Sequence, residues 1–597
     1  MKRWLVSLIV VGTVVGAAST SAQSARPAAG ADLILLNGEV LTMDSAKPVA
    51  RALAIRGDKL VAVGSDKEVR PWRTASTQVV DLRGKTVIPG LIDSHVHAIR
   101  GGQSYTFESY WYDQTTLTGA IAQLKEEASR RGAGKWVAVV GAWHPEQFAE
   151  RRSPSSKELS EALPANPAYI QYLYDYAIVN DKGVEALGLD TGTAMPPGMR
   201  VERDTQGRAT GKLFGSVGPF NAMFSRIGVR SSAENRDSLR AYFKELNRHG
   251  VTGLVDAAAG DYGAYTPLFS LWRDNALTLR VAYRASTVVA EREAAWFNTA
   301  LTFLPPLFGD DMLKFLGVGE ALVIGMNDGV RMGPGFTPSQ TAREELEKVA
   351  LLVAERGYPL EAHAYTDDAT KALLDVFEKV AQVKPIKDLR WTITHISTGS
   401  EETFERMRKL GISYTVQMGP YFEAPAIREA NNDEIAQASP PTRLALRKGI
   451  MVAGGTDSTR VGVINIWRAI EYHVTGRSVG GAVQRRQDYL LSREEALRLY
   501  TANAAWISFD ETKRGTLAAG KFADLAVLDL PYLKVPQDQI HQIRSVMTVV
   551  GGQVVHLDKN GLSPAGASTS VRPGNRTHAI QALAQMHRDE ELAEAHE

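Results

Sequence analysis

Two histidines stand at the end of an apolar segment, in the run Thr86-Val-Ile-Pro-Gly-Leu-Ile-Asp-Ser-His-Val-His97. The segment indicates a buried strand, and the side chains of a strand alternate between its two faces. His95 and His97 therefore point to the same side and can hold one metal ion together. Two histidines on a half-exposed strand face would explain the pair equally well, so the metal interpretation depends on residues further along the chain.

Other residues of metal-binding type also lie on predicted strands. His363 and His395 close apolar segments as the first pair does, and Asp457 ends another in Gly454-Gly-Thr-Asp457. Lys314 lies inside a predicted strand, which is an unusual place for a hydrated cation unless it is paired or chemically modified. Each residue alone is better explained as structural. Their shared placement on strands indicates one common site.

These segments belong to a longer alternation of apolar runs and helical stretches. Helical periodicity is found, for example, at residues 342–356, 368–380 and 400–409. Strands alternating with helices predict an α/β fold of the (β/α)8 TIM-barrel type, in which functional side chains gather where strands end and loops begin. After the opening strand, the predicted strands are Val251–Val255, Leu279–Ala282, Leu313–Leu316, Tyr358–Ala362, Trp391–Thr394, Ile412–Val416 and Ile450–Ala453.

The barrel is predicted to span residues 91–506, with other units before, within and after it. Residues 98–250 are too long for a simple crossover and predict a large, mostly helical insertion after strand one. Short strands and turns at 32–90 and 507–560 predict a small β-sandwich domain built from both chain ends. The polar tail at 561–597 is expected to pack little.

The N-terminus has the pattern of a secretory signal. Two basic residues precede an apolar run at 4–18, and small residues follow through Ala22. The run is short for a membrane-spanning helix. We therefore expect residues 1–22 to be a signal peptide and the mature protein to be periplasmic or secreted, with no stable membrane anchor.

Composition excludes several kinds of site. The 597 residues include no cysteine, so any metal must be bound through nitrogen and oxygen. The formal net charge of +1 gives no overall field that would attract nucleic acid or an anionic membrane. A small molecule is therefore the expected partner, and homo-oligomer formation is left open.

The motifs that carry these residues resemble those of the metal-dependent amidohydrolase superfamily. The run from Pro89 to His97 is similar to its strand-one signature. Its motifs on strands four, five, six and eight are matched, in that order, by Leu313-Lys-Phe, Glu361-Ala-His363, Thr394-His395 and Gly455-Thr-Asp457.

Other features resemble amidohydrolase family 3, the branch that contains N-substituted formamide deformylase. They are Gly141-Ala-Trp143, Gln417 on strand seven and the long insertion after strand one. The segment from Gly515 to Leu528 is similar to the C-terminal strand segment of the superfamily. The resemblance covers about residues 32–560.

The resemblance implies two divalent metal ions, zinc by preference, with manganese, iron or cobalt as alternatives. Their implied ligands are His95, His97 and Asp457 for one ion, His363 and His395 for the other, and Lys314 between them as a carboxylated lysine. A hydroxide held between two ions is a nucleophile at neutral pH, because coordination lowers the pKa of water from 15.7 towards about 7. Asp457 would take the proton of the attacking hydroxide and pass it to the leaving nitrogen. His395 is the second implied catalytic residue.

The substrate side is less well defined. The candidate substrate-binding residues are Trp143, Asp175, Tyr176, Gln417 and Tyr421. Where the branch carries Asp-Gly-His after the insertion, this chain has Tyr174-Asp175-Tyr176 and no histidine. Where the strand-four motif continues into Asp-Gly, this chain has Leu316-Gly-Val-Gly-Glu320. Glu320 would either replace the missing carboxylate or lie outside the ligand set, and the second interpretation is favoured.

The favoured function is hydrolysis of an amide-type carbon–nitrogen bond, other than a peptide bond, in a small molecule. A mononuclear deaminase is the nearest alternative, but its usual glutamate position holds Thr366. A metal-dependent esterase or lactonase stays open.

The run Gly476-Arg-Ser478-Val-Gly480 matches a serine-hydrolase elbow. Such an elbow requires a strand before the serine, whereas residues 465–475 are predicted to be helical. A non-catalytic exported binding protein is the distant alternative.

Overall fold

The computed structural model describes residues 30–259, 262–287 and 289–558. The predicted signal peptide and the predicted C-terminal tail lie outside the described residues. No helix within the described ranges is both long enough and apolar enough to cross a membrane.

The segment before the barrel consists of short strands, because brief apolar runs alternate with turn residues such as Asn37 and Gly57. Strand β7 leads directly into the barrel, with only Gly90 between it and the next strand. The elements are β1 (Leu33–Leu36), β2 (Glu39–Leu41), β3 (Val49–Ala50), β4 (Ala52–Arg56), β5 (Lys59–Gly64), α1 (Asp66–Val69), β6 (Gln78–Asp81) and β7 (Thr86–Pro89).

The first barrel strand and its insertion follow. The elements are β8 (Leu91–Val96), α2 (Ala98–Ser104), α3 (Leu117–Arg131), β9 (Val137–Val140), α4 (Ser156–Ala162), β10 (Ala168–Tyr172), β11 (Tyr176–Val179), α5 (Asp181–Leu187), β12 (Arg200–Arg203), β13 (Ala209–Phe214), α6 (Val217–Ile227) and α7 (Ser232–Arg248). Besides the helices α2 to α7, the insertion contains a five-stranded sheet of order β12-β13-β11-β10-β9. The expectation of a mostly helical insertion omits this sheet, because short apolar runs such as Val137–Val140 do not distinguish a strand from a buried helical segment.

From residue 251 onward, strands and helices alternate as predicted. The elements are β14 (Val251–Asp256), α8 (Thr266–Arg273), β15 (Arg280–Ala285), α9 (Glu293–Ala300), β16 (Leu313–Val318), α10 (Gln340–Glu355), β17 (Glu361–Ala364), α11 (Asp367–Val383), β18 (Thr392–His395), α12 (Glu401–Leu410), β19 (Ser413–Val416), α13 (Gly419–Ala430), α14 (Asp433–Ala438), α15 (Thr442–Arg447), β20 (Val452–Gly454), α16 (Ile466–Thr475), α17 (Arg493–Leu499) and α18 (Ala502–Ile507).

Eight parallel strands form two four-stranded sheets, with strand orders β16-β15-β14-β8 and β17-β18-β19-β20. A parallel bridge between Val318 and Leu360 links one pair of sheet edges. At the other pair, the Ser94 hydroxyl donates to the Gly454 carbonyl at 2.8 Å. This is a TIM-barrel-type α/β arrangement, in which the carboxyl ends of all eight strands meet on one face.

Strands from both chain ends share one sheet. The remaining strands are β21 (Leu525–Leu528), β22 (Ser545–Val550) and β23 (Gln553–Leu557). They extend a six-stranded sheet of order β23-β22-β21-β7-β2-β3, beside a four-stranded sheet of order β5-β4-β1-β6. Leu35 and Leu53 of the smaller sheet share an apolar cluster with Val87 and Leu525 of the larger one.

Candidate metal centre

Five of the sequence-predicted ligands meet at the carboxyl ends of the parallel strands. His95 and His363 lie on β8 and β17, and His395 is the last residue of β18. His97 directly follows β8, and Asp457 lies three residues after β20. Neighbouring parallel strands end at the same face of a barrel, so ligands distant in sequence become neighbours in space.

A sixth residue, Glu320, stands at the centre of this cluster. Its Oε2 lies 3.0 Å from His363 Nδ1 and 2.9 Å from His395 Nε2. Its Oε1 lies 3.1 Å from His97 Nε2. One carboxylate therefore contacts histidines from both predicted metal sites, which is the position of a bridging ligand.

Gly319 allows this placement of Glu320. Its φ angle is +127°, and a Cβ at Gly319 would lie 2.1 Å from the Glu361 carbonyl oxygen of the neighbouring strand. Only glycine fits such a close approach in that conformation. The backbone after β16 therefore directs the Glu320 side chain towards the carboxyl ends of the barrel strands.

Asp457 completes the cluster from the last strand. Its Oδ1 lies 3.5 Å from His97 Nε2, and its Oδ2 lies 3.8 Å from His395 Nδ1. Asp457 and His395 both have positive φ angles, +54° and +75°. Non-glycine residues in this region cost about 1–3 kcal/mol each and are found chiefly where function requires a particular side-chain direction.

Several ligand-type atoms in the cluster have no hydrogen-bond partner among the described residues. They are His95 Nε2, His395 Nδ1 and Asp457 Oδ1, and all three are buried. Buried polar atoms are ordinarily paired, so these atoms require another partner. Donor atoms of three overlapping groups lie within 4.8 Å of one another: His95, His395 and Asp457; His95, His97 and Glu320; and Glu320, His363 and His395.

The donor set fits divalent metal ions. Imidazole nitrogen and carboxylate oxygen are the ligands that zinc and similar ions accept. His95, His97 and Asp457 would hold one ion, and His363 and His395 a second, with Glu320 shared between them. Glu320 would then supply the bridging carboxylate as an unmodified side chain.

Glu361 orients His95 from behind. Its Oε1 accepts a hydrogen bond from His95 Nδ1 at 2.8 Å, and its Oε2 accepts one from the Thr415 hydroxyl at 3.0 Å. Arg284 Nε lies 3.6 Å from the same carboxylate. Because Nδ1 is the donor in this bond, Nε2 of His95 is the nitrogen left to bind metal.

His363 is oriented through its other ring nitrogen, Nε2. Its Nε2 donates to the Gly329 carbonyl at 2.9 Å and lies 3.5 Å from Asp328. Its Nδ1 therefore faces Glu320. Asp328 is itself fixed by the backbone N–H groups of Tyr365 and Thr366, at 3.0 and 3.1 Å.

The cluster shifts the pKa values of its members strongly. Burial by itself would lower the pKa of His95, but Glu361, Glu320 and Asp457 raise it to about 9. Burial likewise opposes protonation of His363, whose bonds to Asp328 and Glu320 raise its pKa to about 10. Burial would raise the pKa of Glu320, yet hydrogen bonds from His363, His395 and His97 hold it well below its usual range.

Lys314 does not join the cluster. Its Nζ donates to Asp510 Oδ1 at 2.6 Å and to the Ser508 carbonyl at 2.6 Å. Lys314 is the second residue of β16, whereas Glu320 follows the end of that strand. Six residues of extended chain place them about 20 Å apart, at opposite ends of the barrel. The structure therefore contradicts a bridging Lys314 and puts Glu320 in that position.

The candidate substrate-binding residues mostly lie elsewhere. Gln417 is near the cluster, where its Oε1 accepts from the His395 N–H at 2.9 Å. Trp143 is buried in the insertion, and its Nε1 donates to the Gln171 carbonyl at 2.7 Å. Asp175 lies exposed in a turn, and the Tyr176 hydroxyl contacts Ser153 Oγ at 2.5 Å.

Tyr421 also lies outside the metal cavity. Its ring packs on Phe422 and Tyr472, and its hydroxyl accepts a hydrogen bond from Arg468 at 3.4 Å. The sequence predicts both Trp143 and Tyr421 as candidate substrate contacts, but packing within the fold accounts for their positions. Only Gln417 of the five candidates contacts a predicted metal ligand.

A cavity of about 440 Å³ opens onto the metal cluster. A volume of this size suits a small molecule. Sequence reasoning missed most of its wall, because loops that are distant in sequence build it together. Besides the cluster, its lining includes Arg100, Tyr174, Val217, Asn327, Tyr365 and Val461.

The serine-hydrolase alternative fails on local structure. Ser478 follows α16 rather than a strand, and its hydroxyl donates to the Ala482 carbonyl at 3.2 Å. A nucleophile elbow requires a strand before the serine. The prediction that this match is coincidental agrees with that geometry.

The chain is similar in sequence and in fold to known proteins. N-substituted formamide deformylase of Arthrobacter pascens is 24% identical over 554 residues, covering 89% of this chain and 99% of the relative. An uncharacterised metal-dependent hydrolase of Pyrococcus horikoshii has a TM-score of 0.62 at 22% identity, covering 85% of this chain and 99% of that chain.

A variant of atrazine chlorohydrolase TrzN from Arthrobacter aurescens, solved with zinc and atraton, has a TM-score of 0.52 at 17% identity. The match covers 88% of this chain and 95% of that chain. These two structural likenesses concern the fold alone. The sequence profile of the amidohydrolase family matches residues 78–556. The chain therefore belongs to the amidohydrolase family and is a hydrolase of carbon–nitrogen bonds other than peptide bonds.

Proposed function

We propose that this protein hydrolyses an amide-type carbon–nitrogen bond of a small molecule with the help of two divalent metal ions, preferably zinc, shared through Glu320. The observation that carries this proposal is the convergence of six residues with nitrogen and oxygen ligand atoms, three of which are buried with no hydrogen-bond partner in the described part of the chain. The relative named N-substituted formamide deformylase supports an N-acyl amine as the substrate. The TrzN structure solved with zinc supports zinc as the metal.

Two further proposals complete this description. The two four-stranded sheets close as a (β/α)8 barrel, supported by the contacts at both pairs of sheet edges. The protein is exported, as the basic, apolar and small-residue pattern at residues 1–22 indicates.

When bound, the ions supply a water of lowered pKa and polarise the carbonyl of the substrate. Asp457 is the proton carrier of the chain. Its Oδ1 is buried without a hydrogen-bond partner among the described residues, so it is free to accept a proton from the attacking water. The same oxygen then delivers that proton to the leaving nitrogen, which departs as a neutral amine.

Other residues hold the reacting geometry. Glu361 fixes the ring of His95, and Gln417 fixes the backbone of His395 through its N–H. Such partners keep ligands in place before substrate arrives, so that no reorganisation is needed during the reaction. His395, bonded to Glu320 and close to Asp457, stands beside the proposed path of the proton.

The test is amine release by the exported protein from a panel of N-formyl and N-acyl amines. We expect activity to be lost on chelation and to return with zinc or manganese. Ser478→Ala is the control, because a serine hydrolase would lose activity in that variant and keep it under chelation. Binding of panel compounds without cleavage, in metal-restored protein, would contradict the proposal and favour a binding protein.

A further inference from the structure

Arg100 lines the same cavity as the metal ligands. It lies in the first turn of α2, three residues after His97, and shares the cavity wall with His97, Asp457 and Tyr174. The cavity therefore contains both metal ligands and a guanidinium group.

The guanidinium of Arg100 forms no direct ion pair among the described residues, although the buried carboxyl of Glu108 acts on it at longer range. No hydrogen bond or ion pair joins it to another residue in the described part of the chain, and its Nε is buried. A buried N–H without an acceptor costs about 1–3 kcal/mol, and more when the group is charged. An arginine kept in a ligand cavity under these conditions is suited to a ligand that brings its own acceptors.

The surroundings of Arg100 are rich in positive charge. Arg230 and Arg460 act on the same buried carboxyl as Arg100, and both donate to neutral amides: Arg230 to Asn235 at 3.0 Å, and Arg460 to Asn221. The buried carboxyl that faces all three arginines is Glu108. Burial raises its pKa, and its Oε1 is bonded to the Ser104 hydroxyl.

Three guanidinium groups thus face one buried carboxyl, and none forms an ion pair with it. Charges in a partly enclosed site are screened less than those on an open surface. The net positive charge of these groups therefore favours an anion at Arg100, which is the one of the three that lines the cavity. The fork of an arginine matches a carboxylate in particular, because two parallel N–H groups can bond its two oxygens.

We infer that Arg100 binds a carboxylate of the substrate, so the preferred substrates are amides that also carry a carboxylate, such as N-acyl amino acids. This inference rests on the proposed amide hydrolysis. The metal ligands would take the scissile carbonyl while Arg100 holds the acid group in the same cavity. Arg100 is then a specificity-determining residue.

Matched substrate pairs test the inference. N-Formyl-phenylalanine and N-formyl-phenethylamine differ only by a carboxylate on the amine side. N-Phenethylsuccinamic acid and N-phenethylpropanamide place the same difference on the acyl side. We expect kcat/KM to favour the acid in at least one pair, and that pair identifies the side on which Arg100 acts.

The variant Arg100→Gln should lower kcat/KM for the preferred acid by about 30- to 100-fold, the value of a lost charged hydrogen-bond pair. Its neutral partner should change by less than about 3-fold. Arg226→Gln is the control, because Arg226 is exposed on α6 of the same insertion and donates to the Ala194 carbonyl. Equal losses on acid and neutral substrate, or no preference for the acid in either pair, would overturn the inference.

A binding measurement separates this inference from the proposed function. Calorimetric titration of the chelated protein with N-formyl-phenylalanine and with N-phenethylsuccinamic acid does not depend on turnover. Weaker binding of either acid by Arg100→Gln than by wild type and Arg226→Gln supports the inference even if no amide is cleaved. Equal binding of both acids by all three proteins overturns it, whatever the activity.

Discussion

Both ends of the barrel strands carry charged clusters, but the two clusters are built in opposite ways. At the carboxyl ends, His95, His395 and Asp457 each keep a buried atom without a hydrogen-bond partner among the described residues. At the amino ends, Asp510 is paired twice, with Lys314 at 2.6 Å and with Arg514 at 2.8 Å.

The cluster at the amino ends of the strands includes a further ion pair. Arg280, the first residue of β15, lies 2.7 Å from Asp524 next to the end sheets. Charges that satisfy one another stabilise a junction and leave little to bind a ligand. Ligand atoms that are held together without partners are costly unless a ligand completes them. The comparison separates a structural cluster from a functional one on the same strands.

The largest effect is expected from Glu320→Gln. Loss of the shared carboxylate should lower kcat at least about 1000-fold, since even the partners behind metal ligands are worth about 10- to 100-fold. Steady-state amine release measures this effect. Glu429→Gln, on the exposed side of α13, is the control and should keep full activity. Similar activities of the two variants would contradict the bridging position.

Glu361→Gln should have the next largest effect. The His95 ring loses its anionic partner, so metal affinity and kcat/KM should fall by about 10- to 100-fold. Activity should rise again with excess zinc, because the ligand itself remains. Titration of chelated protein with zinc measures the change. A loss of activity that excess metal leaves unchanged would mean that Glu361 serves only the fold.

Lys314→Met should change stability rather than activity. Removing the ammonium takes one hydrogen bond from a buried carboxylate, which is worth about 2 kcal/mol, while Arg514 still pairs with Asp510. Denaturant unfolding of the metal-loaded protein measures the loss. The kcat should stay within about 2-fold of wild type, since the nearest metal ligand on this strand is about 20 Å away. A fall in kcat as deep as that of Glu320→Gln would reverse the assignment.

The smallest effect concerns pH. Burial by itself would raise the pKa of Asp510, but Arg514 and Lys314 hold it below its usual value. Its contribution to stability is therefore present above the unfolded pKa of about 3.9 and is lost as the pH falls through the lower folded pKa. The stability difference between wild type and Asp510→Asn should shrink below about pH 4. Thermal unfolding across that range measures it, and a constant difference would exclude titration of this pair.

Sequence alone predicts the cluster at the carboxyl ends of the strands well. The short apolar strands ending in His95, His363 and His395 follow from period-two patterns and from family motifs. Parallel strands bring such residues together without any knowledge of side-chain packing. The long amphipathic helices between them, such as α10 and α11, are equally visible in the helical period.

The positions of Lys314, of Glu320 and of the cavity wall depend on information that the sequence does not display. Lys314 matches the family motif in residue type, but the length of β16 decides which end of the barrel it occupies. The sequence favours a position of Glu320 outside the ligand set, because a carboxylate after a strand is more often exposed. Sequence does not show that Trp143 is buried in the core while Arg100 lines the cavity, because the fold of the insertion determines which of them faces the metal site.

Metal content tests the central claim most directly. Purified wild type, Lys314→Met and Glu320→Ala would be dialysed against the same limiting zinc concentration and analysed by elemental mass spectrometry. A bridging Glu320 predicts two ions per chain in wild type and in Lys314→Met, and fewer than two in Glu320→Ala. Two ions in Glu320→Ala with loss of metal from Lys314→Met would contradict it.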